Sequence, residues 1–263
     1  MNSKAKSQSE KSYCGFALAK TALAAFSLVF IVSACSERHD DNLEQLTPLE
    51  VYRINIPETS DLCFGSNNSI LYTVSDNTAK VYKISGAGKI LAELQYKGTD
   101  PEGICYVDNQ FLYLAEERQR IIFKLDLQGN QLEQTSIAVE KNDDNQGLEG
   151  ISYATFNKHF YILNEKNPGL LIETDENMNV LKNHSLTFSS DYSGICVDNI
   201  NQQLWIVCDE AATVNQCNMQ GELIKSYRIP VSNPEGIAYD PLSGKLYIVS
   251  DAEARLYSFE IKN

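Results

Sequence analysis

Three glutamates recur in the chain at equivalent places, each in a turn that leads into a hydrophobic run. Glu102, Glu149 and Glu235 each precede a Gly-Ile pair, and Ser60 and Ser193 hold the same place in two further turns. The five residues follow one another at spacings of 42, 47, 44 and 42 residues, a period typical of repeat architectures. If the repeats close into a ring, these side chains converge on one axis, where carboxylates hold either a cation or a proton.

A second set of acids follows the first at a nearly constant distance. In each repeat an acid stands four residues after an aromatic residue, at Asp76, Glu117, Glu165, Asp209 and Asp251. The spacing predicts a wider circle of carboxylates on the same face as the turn residues. An acid at the start of a turn often bonds its own backbone, so a purely structural role for this circle remains open.

The negative charge of the inner carboxylates must be neutralised by a proton or a cation. Two carboxylates about 5 Å apart at an effective dielectric constant of 20 repel by roughly 3 kcal/mol, so three in a narrow channel retain a proton or bind a cation. Oxygen ligands without histidine or cysteine favour calcium or magnesium over zinc, and calcium over magnesium. We therefore predict Glu102, Glu149 and Glu235 as metal ligands, with Ser60, Ser193 and the outer acids available to the ligand. The alternative is that the glutamates only accept backbone N–H groups from neighbouring repeats.

The elements that position these residues are short strands. The second repeat reads as Ile104–Val107, Phe111–Ala115, Ile121–Leu125 and a fourth strand from about Leu132 to Val139, without a sustained helical period. Four strands in about 42 residues predict a propeller blade. The fifth repeat lacks its last strand, and the alternating residues 49–57 are expected to supply it. The predicted fold is all-β, a five-bladed β-propeller closed by an N-terminal strand.

The first 34 residues have the features of a secretory signal. Four lysines precede an apolar stretch from Thr21 to Val32, and Val32-Ser33-Ala34 leads to Cys35. This pattern resembles the lipobox of bacterial lipoproteins and predicts a signal peptide at 1–34, lipidation of Cys35, a polar tether at 35–48 and the propeller at 49–263. An ordinary signal peptide or an uncleaved anchor is the alternative. Ser36 after the cysteine favours the outer over the inner membrane.

Charge and cysteine content limit the partners. Removal of the leader changes the net charge from −13 to −16, which disfavours nucleic acid and anionic lipid headgroups and favours cationic ligands. Cys63, Cys105 and Cys196 share one repeat position and are expected to be small buried groups. Cys208 and Cys217 flank a predicted hairpin, where a disulfide is one of two open possibilities.

The turn sequences resemble a known family. The order Ser, Glu, Glu, Ser, Glu at the five turns, together with Gly147–Tyr153, Asn164–Pro168 and Pro234–Ala238, resembles the SdiA-regulated (YjiK) family of bacterial envelope β-propellers. The resemblance covers about residues 49–260 and implies a five-bladed propeller without an assigned activity. A more distant likeness to gluconolactonase and senescence-marker propellers implies that Glu102, Glu149 and Glu235 correspond to ligands of a divalent metal used for hydrolysis. Those propellers have six blades.

Two functions follow as expectations. The first is a lipid-anchored envelope propeller, on the periplasmic side, that acts as a binding or scaffolding module for a divalent cation, a cationic or polyhydroxylated ligand, or another envelope protein. The second is a metal-dependent hydrolase of esters, lactones or phosphoesters, with Asp209 as the general base. A serine hydrolase is disfavoured, because the chain has only three histidines and no G-x-S-x-G sequence.

Overall fold

The computed structural model describes residues 43–139 and 147–262, and strands and turns make up all the regular structure among them. None of the described residues forms a helix long and apolar enough to cross a membrane. The signal segment and Cys35 lie outside the described residues. In chain order the strands are β1 Glu44–Gln45, β2 Glu50–Arg53, β3 Thr59–Phe64, β4 Ile70–Ser75, β5 Lys80–Ser85, β6 Ile90–Lys97, β7 Pro101–Val107, β8 Phe111–Glu116, β9 Ile121–Asp126, β10 Gln131–Ser136, β11 Leu148–Ala154, β12 His159–Asn164, β13 Leu170–Thr174, β14 Val180–Ser185, β15 Gly194–Asp198, β16 Gln203–Cys208, β17 Thr213–Cys217, β18 Leu223–Arg228, β19 Pro234–Asp240, β20 Lys245–Ser250 and β21 Arg255–Glu260.

The strands form five separate sheets, which are the blades of a propeller. Blade 1 is β3-β4-β5-β6, blade 2 is β7-β8-β9-β10 and blade 3 is β11-β12-β13-β14, each written from the innermost strand outward. Blade 4 is β15-β16-β17-β18 with β1 added outside, and blade 5 is β19-β20-β21-β2. The innermost strands contact one another in ring order, and β19 contacts β3. The predicted five-bladed propeller is therefore confirmed.

The antiparallel meander gives the propeller two distinct ends. All five innermost strands begin at one end, which we call the cup face, and finish at the other, which we call the base. The second strand of each blade returns to the cup face, and the outermost strand starts at the base. This geometry explains why Ser60 and Asp76, sixteen residues apart, lie at the same end of blade 1.

The apolar core is divided among the blade interfaces. Five buried hydrophobic clusters each join two neighbouring blades. Trp205 of blade 4, for example, is 1% exposed and packs against Tyr239 of blade 5 with ring centroids 4.7 Å apart. The second strands are buried on both sides, whereas outermost strands such as β14 are largely exposed. The hydrophobic pattern therefore holds each blade against its neighbours rather than around one central core.

The ring closes as the sequence predicts. β2 pairs antiparallel with β21, with Val51 opposite Tyr257 and Arg53 opposite Arg255. Ile54 and Ile56, which follow β2, are both 1% exposed and lie in the cluster between blades 5 and 1. Closure therefore combines strand pairing with burial at the last interface, and it removes an unpaired edge from blade 5.

The end of the predicted tether also takes part in the fold. Glu44 and Gln45 form β1, which pairs parallel with β18 opposite Tyr227 and Arg228. Leu46 is 7% exposed and joins the cluster between blades 4 and 5. Residues 44–46 of the predicted tether therefore pack against the propeller.

The cysteines are all unpaired among the described residues. The possible Cys208–Cys217 disulfide does not form, because the register places Cys208 opposite Thr213 and Cys217 opposite Leu204. The two thiols thus lie at opposite ends of one strand pair, and both are fully buried. Cys63, Cys105 and Cys196 lie on innermost strands, as expected, but only Cys105 is buried, and Cys63 and Cys196 are half-buried. The Cys196 thiol accepts the Tyr239 backbone N–H of the next blade at 3.4 Å.

Candidate functional site

A single acidic cavity opens on the cup face at the propeller axis. It has a volume of about 180 Å³ and receives side chains from all five blades. Its lining, among the described residues, contains seven carboxylates, two serines and no basic side chain: Ser60, Asp76, Glu102, Glu149, Glu165, Ser193, Asp209, Glu235 and Asp251. We call this cavity the cup.

The acid–glycine turn has two structural functions. In four blades the register with the second strand shifts at the turn residue, and such a bulge redirects a side chain. The following glycine permits close approach of the strands: a Cβ at Gly236 would lie 2.5 Å from the Asp61 backbone, and one at Gly194 would lie 2.3 Å from the Glu235 carbonyl oxygen. The glutamate therefore lines the cup while the glycine beside it forms part of a tightly packed floor.

Blade 1 departs from this pattern, because Asp61 stands where the other four blades have glycine. Asp61 is fully buried. Its carboxylate accepts the backbone N–H groups of Leu62 and Ile104, each at 2.8 Å, and also faces the Ile237 N–H. Burial raises the Asp61 pKa well above its usual value, and the N–H donors partly oppose that rise. Asp61 thus ties the innermost strands of blades 1, 2 and 5 together beneath the cup.

The role of Asp61 bears on the alternative reading of the glutamates. In that alternative, Glu102, Glu149 and Glu235 have only a structural role and accept backbone N–H groups from neighbouring blades. In the structure that bridging contact is made by Asp61, whereas Glu102 and Glu235 each face a hydroxyl, that of Ser60 and that of Ser193. The three glutamates are half-buried and line the cup.

Burial and mutual repulsion raise the pKa values of the inner glutamates. Desolvation is the largest cause at all three. Around Glu149 the further causes are all carboxylates, with Glu102 and Glu165 first. Without a bound cation, these glutamates therefore hold protons at pH values where an exposed glutamate is ionised.

The carboxylates form two tight groups rather than one inner trio. Oxygen atoms of Asp76, Asp100 and Glu102 lie within 4.8 Å of one another, and those of Glu117, Glu149 and Glu165 form a second group at the same spacing. The expected trio of Glu102, Glu149 and Glu235 is not one of these groups. Glu102 is instead grouped with Asp76 of the outer circle and with Asp100, and Glu149 with Glu117 and Glu165 of the outer circle. The reason is that the bulged turn and the end of the second strand are neighbours on the cup face.

Two further acids, Asp100 and Asp191, lie beside the turns but were not among the predicted site residues. Asp100 is 5% exposed and binds Arg118 Nε at 2.9 Å. Asp191 is 1% exposed and accepts the Glu210 backbone N–H at 3.1 Å. Both stand two residues before an aligned turn residue, so the same repeat alignment contained the signal.

The outer acids differ in their contacts. Asp76 accepts the Asn77 backbone N–H at 2.6 Å, a local turn contact of the kind considered as the structural alternative. Glu165 pairs with Lys166 at 2.6 Å. Glu117 lies behind the cup lining, accepts the Gly147 N–H at 3.0 Å and has a pKa raised to about 7, chiefly by burial. Nine of the ten predicted site residues therefore line one cavity, and Glu117 supports it.

Asp209 stands apart as a candidate proton acceptor. Burial raises its pKa to about 6, with further contributions from Asp191 and Glu210. A carboxylate in this range is near the value that suits a general base at neutral pH. It lines the same cup as the three glutamates, so a carboxylate with a raised pKa and candidate cation ligands share one space.

Comparisons with solved structures agree on the fold. Glutaminyl cyclase from Myxococcus xanthus is similar with a TM-score of 0.65 and 12% sequence identity, over 84% of this chain and 100% of that one. Hydrazine synthase from Kuenenia stuttgartiensis has a TM-score of 0.52 and 15% identity, over 74% of this chain and 56% of that one. At such identities the likeness concerns the fold alone.

The family comparison covers the whole propeller. The model of the SdiA-regulated family matches residues 46–260, which include every strand from β2 to β21 and all the cup residues. The resemblance seen in the five turns is thereby confirmed. This chain belongs to the SdiA-regulated family.

Proposed function

We propose that the protein is a binding module whose cup holds a divalent cation, with calcium favoured over magnesium. The observation that carries this proposal is the lining of the cup: seven carboxylates and two hydroxyls face one small space, and no basic side chain is among them. Such a group of like charges is costly unless protons or a cation neutralise it. A cationic or polyhydroxylated ligand, or a segment of another envelope protein, is the alternative occupant of the cup.

The donor set favours calcium on chemical grounds. All the ligands on offer are oxygens, and calcium accepts six to eight of them in flexible geometry, whereas magnesium requires near-octahedral coordination. Glu102 with Asp76, or Glu149 with Glu165, would supply the first ligands, because the carboxylates of each pair already lie within 4.8 Å of one another. Glu235 and the hydroxyls of Ser60 and Ser193 would complete the set from the rest of the cup lining. The packed floor of glycines and Asp61 keeps the starting points of these side chains fixed.

Calorimetry tests the cation proposal directly. Titration of calcium into the wild type should give saturable heat, and the Glu102→Gln, Glu149→Gln double variant should lose it while remaining folded. Glu176→Gln is the matched control, because Glu176 is an exposed acid outside the cup. Wild-type protein that gives no heat and no rise in melting temperature at millimolar calcium would exclude the metal.

We also propose that Cys35 carries a lipid that holds the propeller at the bacterial envelope, on the periplasmic side, with the outer membrane favoured. The lipobox-like sequence and Ser36 support this localisation. Mass spectrometry of the purified full chain should find diacylglyceryl-modified Cys35 as the first residue. The Cys35→Ser variant should lose the lipid and leave the membrane fraction, and an unmodified wild type would exclude the anchor.

The raised pKa of Asp209 supports a second candidate, a metal-dependent hydrolase of esters, lactones or phosphoesters. In this scheme the glutamates would hold the metal, which supplies an activated water, and Asp209 would accept the proton of that water. Turnover of a generic substrate panel should then require calcium or magnesium. Asp209→Asn should abolish turnover but keep cation binding, whereas Glu149→Gln should weaken both. Failure across the panel would favour the binding module.

A further inference from the structure

The two ends of the propeller differ in the chemistry that they expose. Twelve large hydrophobic side chains of the described residues are exposed, and none of them lies in a cup-face turn. Three occupy base turns, and the other nine lie within the first two residues of an outermost strand or directly before one: Leu49, Val51, Ile90, Leu91, Leu132, Val180, Leu181, Leu223 and Ile224. Since outermost strands start at the base, the exposed apolar surface is concentrated toward that end. Such a concentration indicates an interaction surface.

The three base turns present their apolar residues at equivalent places. Phe156, Ile200 and Leu242 are 40%, 57% and 83% exposed, and each follows the innermost strand of its blade by two residues. They belong to the consecutive blades 3, 4 and 5. Neighbouring turns are linked, because Asn199 Oδ1 accepts the Thr155 backbone N–H at 2.6 Å. The three residues therefore form one arc around the axis, which we call the base arc.

Buried acids hold the base arc in place. The Asp198 carboxylate accepts the Ile200 N–H at 2.9 Å, and the Asp240 carboxylate accepts the Leu242 N–H at 3.1 Å. Asp198 is 1% exposed and Asp240 is 9% exposed. Because these charges are committed to the turns, they do not surround the apolar tips with exposed carboxylate. The tips project from ordered turns and need little further ordering when they enter an apolar phase.

The direction of β1 connects this surface to the N-terminal cysteine. β1 is parallel to β18, which starts at the base, so the chain approaches blade 4 from the base side. The partners of β1, Tyr227 and Arg228, are the last two residues of β18, so Glu44 itself lies near the cup-face end of the blade. Eight residues lie between Cys35 and Glu44, and this span of nine Cα–Cα steps reaches at most about 30 Å, which exceeds the roughly 20 Å length of a six-residue strand. A lipid on Cys35 would thus keep the propeller close to the bilayer, with its apolar end available to it.

We propose that the base of the propeller docks on a zwitterionic phospholipid bilayer through Phe156, Ile200 and Leu242, so that the cup faces away from the membrane. A bilayer suits the placement of the apolar residues, which are distributed over all five blades rather than gathered in one pocket. The net charge of −16 for the chain without its leader disfavours an anionic surface and is compatible with a zwitterionic one. This inference rests on the proposed lipid anchor.

Tryptophan fluorescence offers a direct test, because the only native tryptophan, Trp205, is 1% exposed and remote from bulk lipid. The full lipidated chain is reconstituted into phosphatidylcholine–phosphatidylethanolamine vesicles with brominated acyl chains. The Leu242→Trp variant should lose at least half of its added emission. The matched Ala211→Trp variant places its tryptophan at an exposed turn of the cup face and should lose less than a tenth of its added emission.

The possible outcomes separate this proposal from the anchor. Protein that fails to float with the vesicles overturns both the anchor and the docking. Protein that floats but shows no quenching at either position overturns the docking alone, and leaves the apolar base to a protein partner. Stronger quenching of the Ala211→Trp variant would reverse the orientation and also overturn the proposal.

Discussion

Replacement of Glu149 by glutamine should change stability and cation affinity in opposite directions. The Glu149 carboxylate lies within 4.8 Å of those of Glu117 and Glu165, and at that distance two ionised carboxylates repel by about 3 kcal/mol at an effective dielectric constant of 20. Because raised pKa values leave part of this group protonated, only a fraction of the repulsion is present. We expect Glu149→Gln to stabilise the metal-free protein by about 1–3 kcal/mol at pH 8.

The assay is thermal unfolding at pH 8, with a chelator and then with calcium. For a domain of this size, 1 kcal/mol shifts the melting temperature by about 2–4 °C, so the variant should melt several degrees higher than the wild type with chelator present. With calcium the order should reverse, because the variant lacks a ligand. The control Glu176→Gln makes the same charge change outside the cup and should alter the melting temperature little. A Glu149→Gln variant that is less stable than the wild type in chelator would refute the repulsion argument and assign Glu149 a structural bond.

Three further predictions concern the cup, its floor and the closure. Metal-free protein should become less stable as pH rises from about 4, the usual carboxyl range, through the raised pKa values of about 6 at Asp209 and about 7 at Glu117. The reason is that the folded state binds more protons than the unfolded state in that window. A melting temperature that rises from pH 5 to pH 8 in chelator would contradict this prediction. Asp61→Ala should destabilise the domain by at least about 3 kcal/mol, since it leaves buried N–H groups without an acceptor. An unchanged midpoint of chemical denaturation would contradict this prediction. Ile54→Ala combined with Ile56→Ala should cost about 4–8 kcal/mol because both side chains are buried at the closing interface, and proteolysis that remains as slow as in the wild type would argue against closure by this segment.

The sequence by itself determined the repeat, the number of blades and the closing strand. Each depends on local patterns that recur along the chain: a turn residue, an acid about sixteen residues later, and strands long enough to pair with their neighbours in sequence. Apart from the closing pair of β2 and β21, which the incomplete fifth repeat indicated, pairing within a blade joins consecutive strands, so its signal survives in the order of residues. The acid–glycine pairs likewise predicted which end of the propeller carries the cup.

Only the tertiary structure decided how side chains from different blades are grouped. Asp100 joins Asp76 and Glu102, and Asp61 bridges three innermost strands. The repeat pattern gives the positions of these residues but does not show which side chains of other blades they meet. Cys208 and Cys217 are only nine residues apart, yet the register of β16 and β17 keeps them separate. The physical reason is that distances between blades depend on the radius of the ring and on the bulges at its centre, where strands distant in sequence approach as closely as glycine allows.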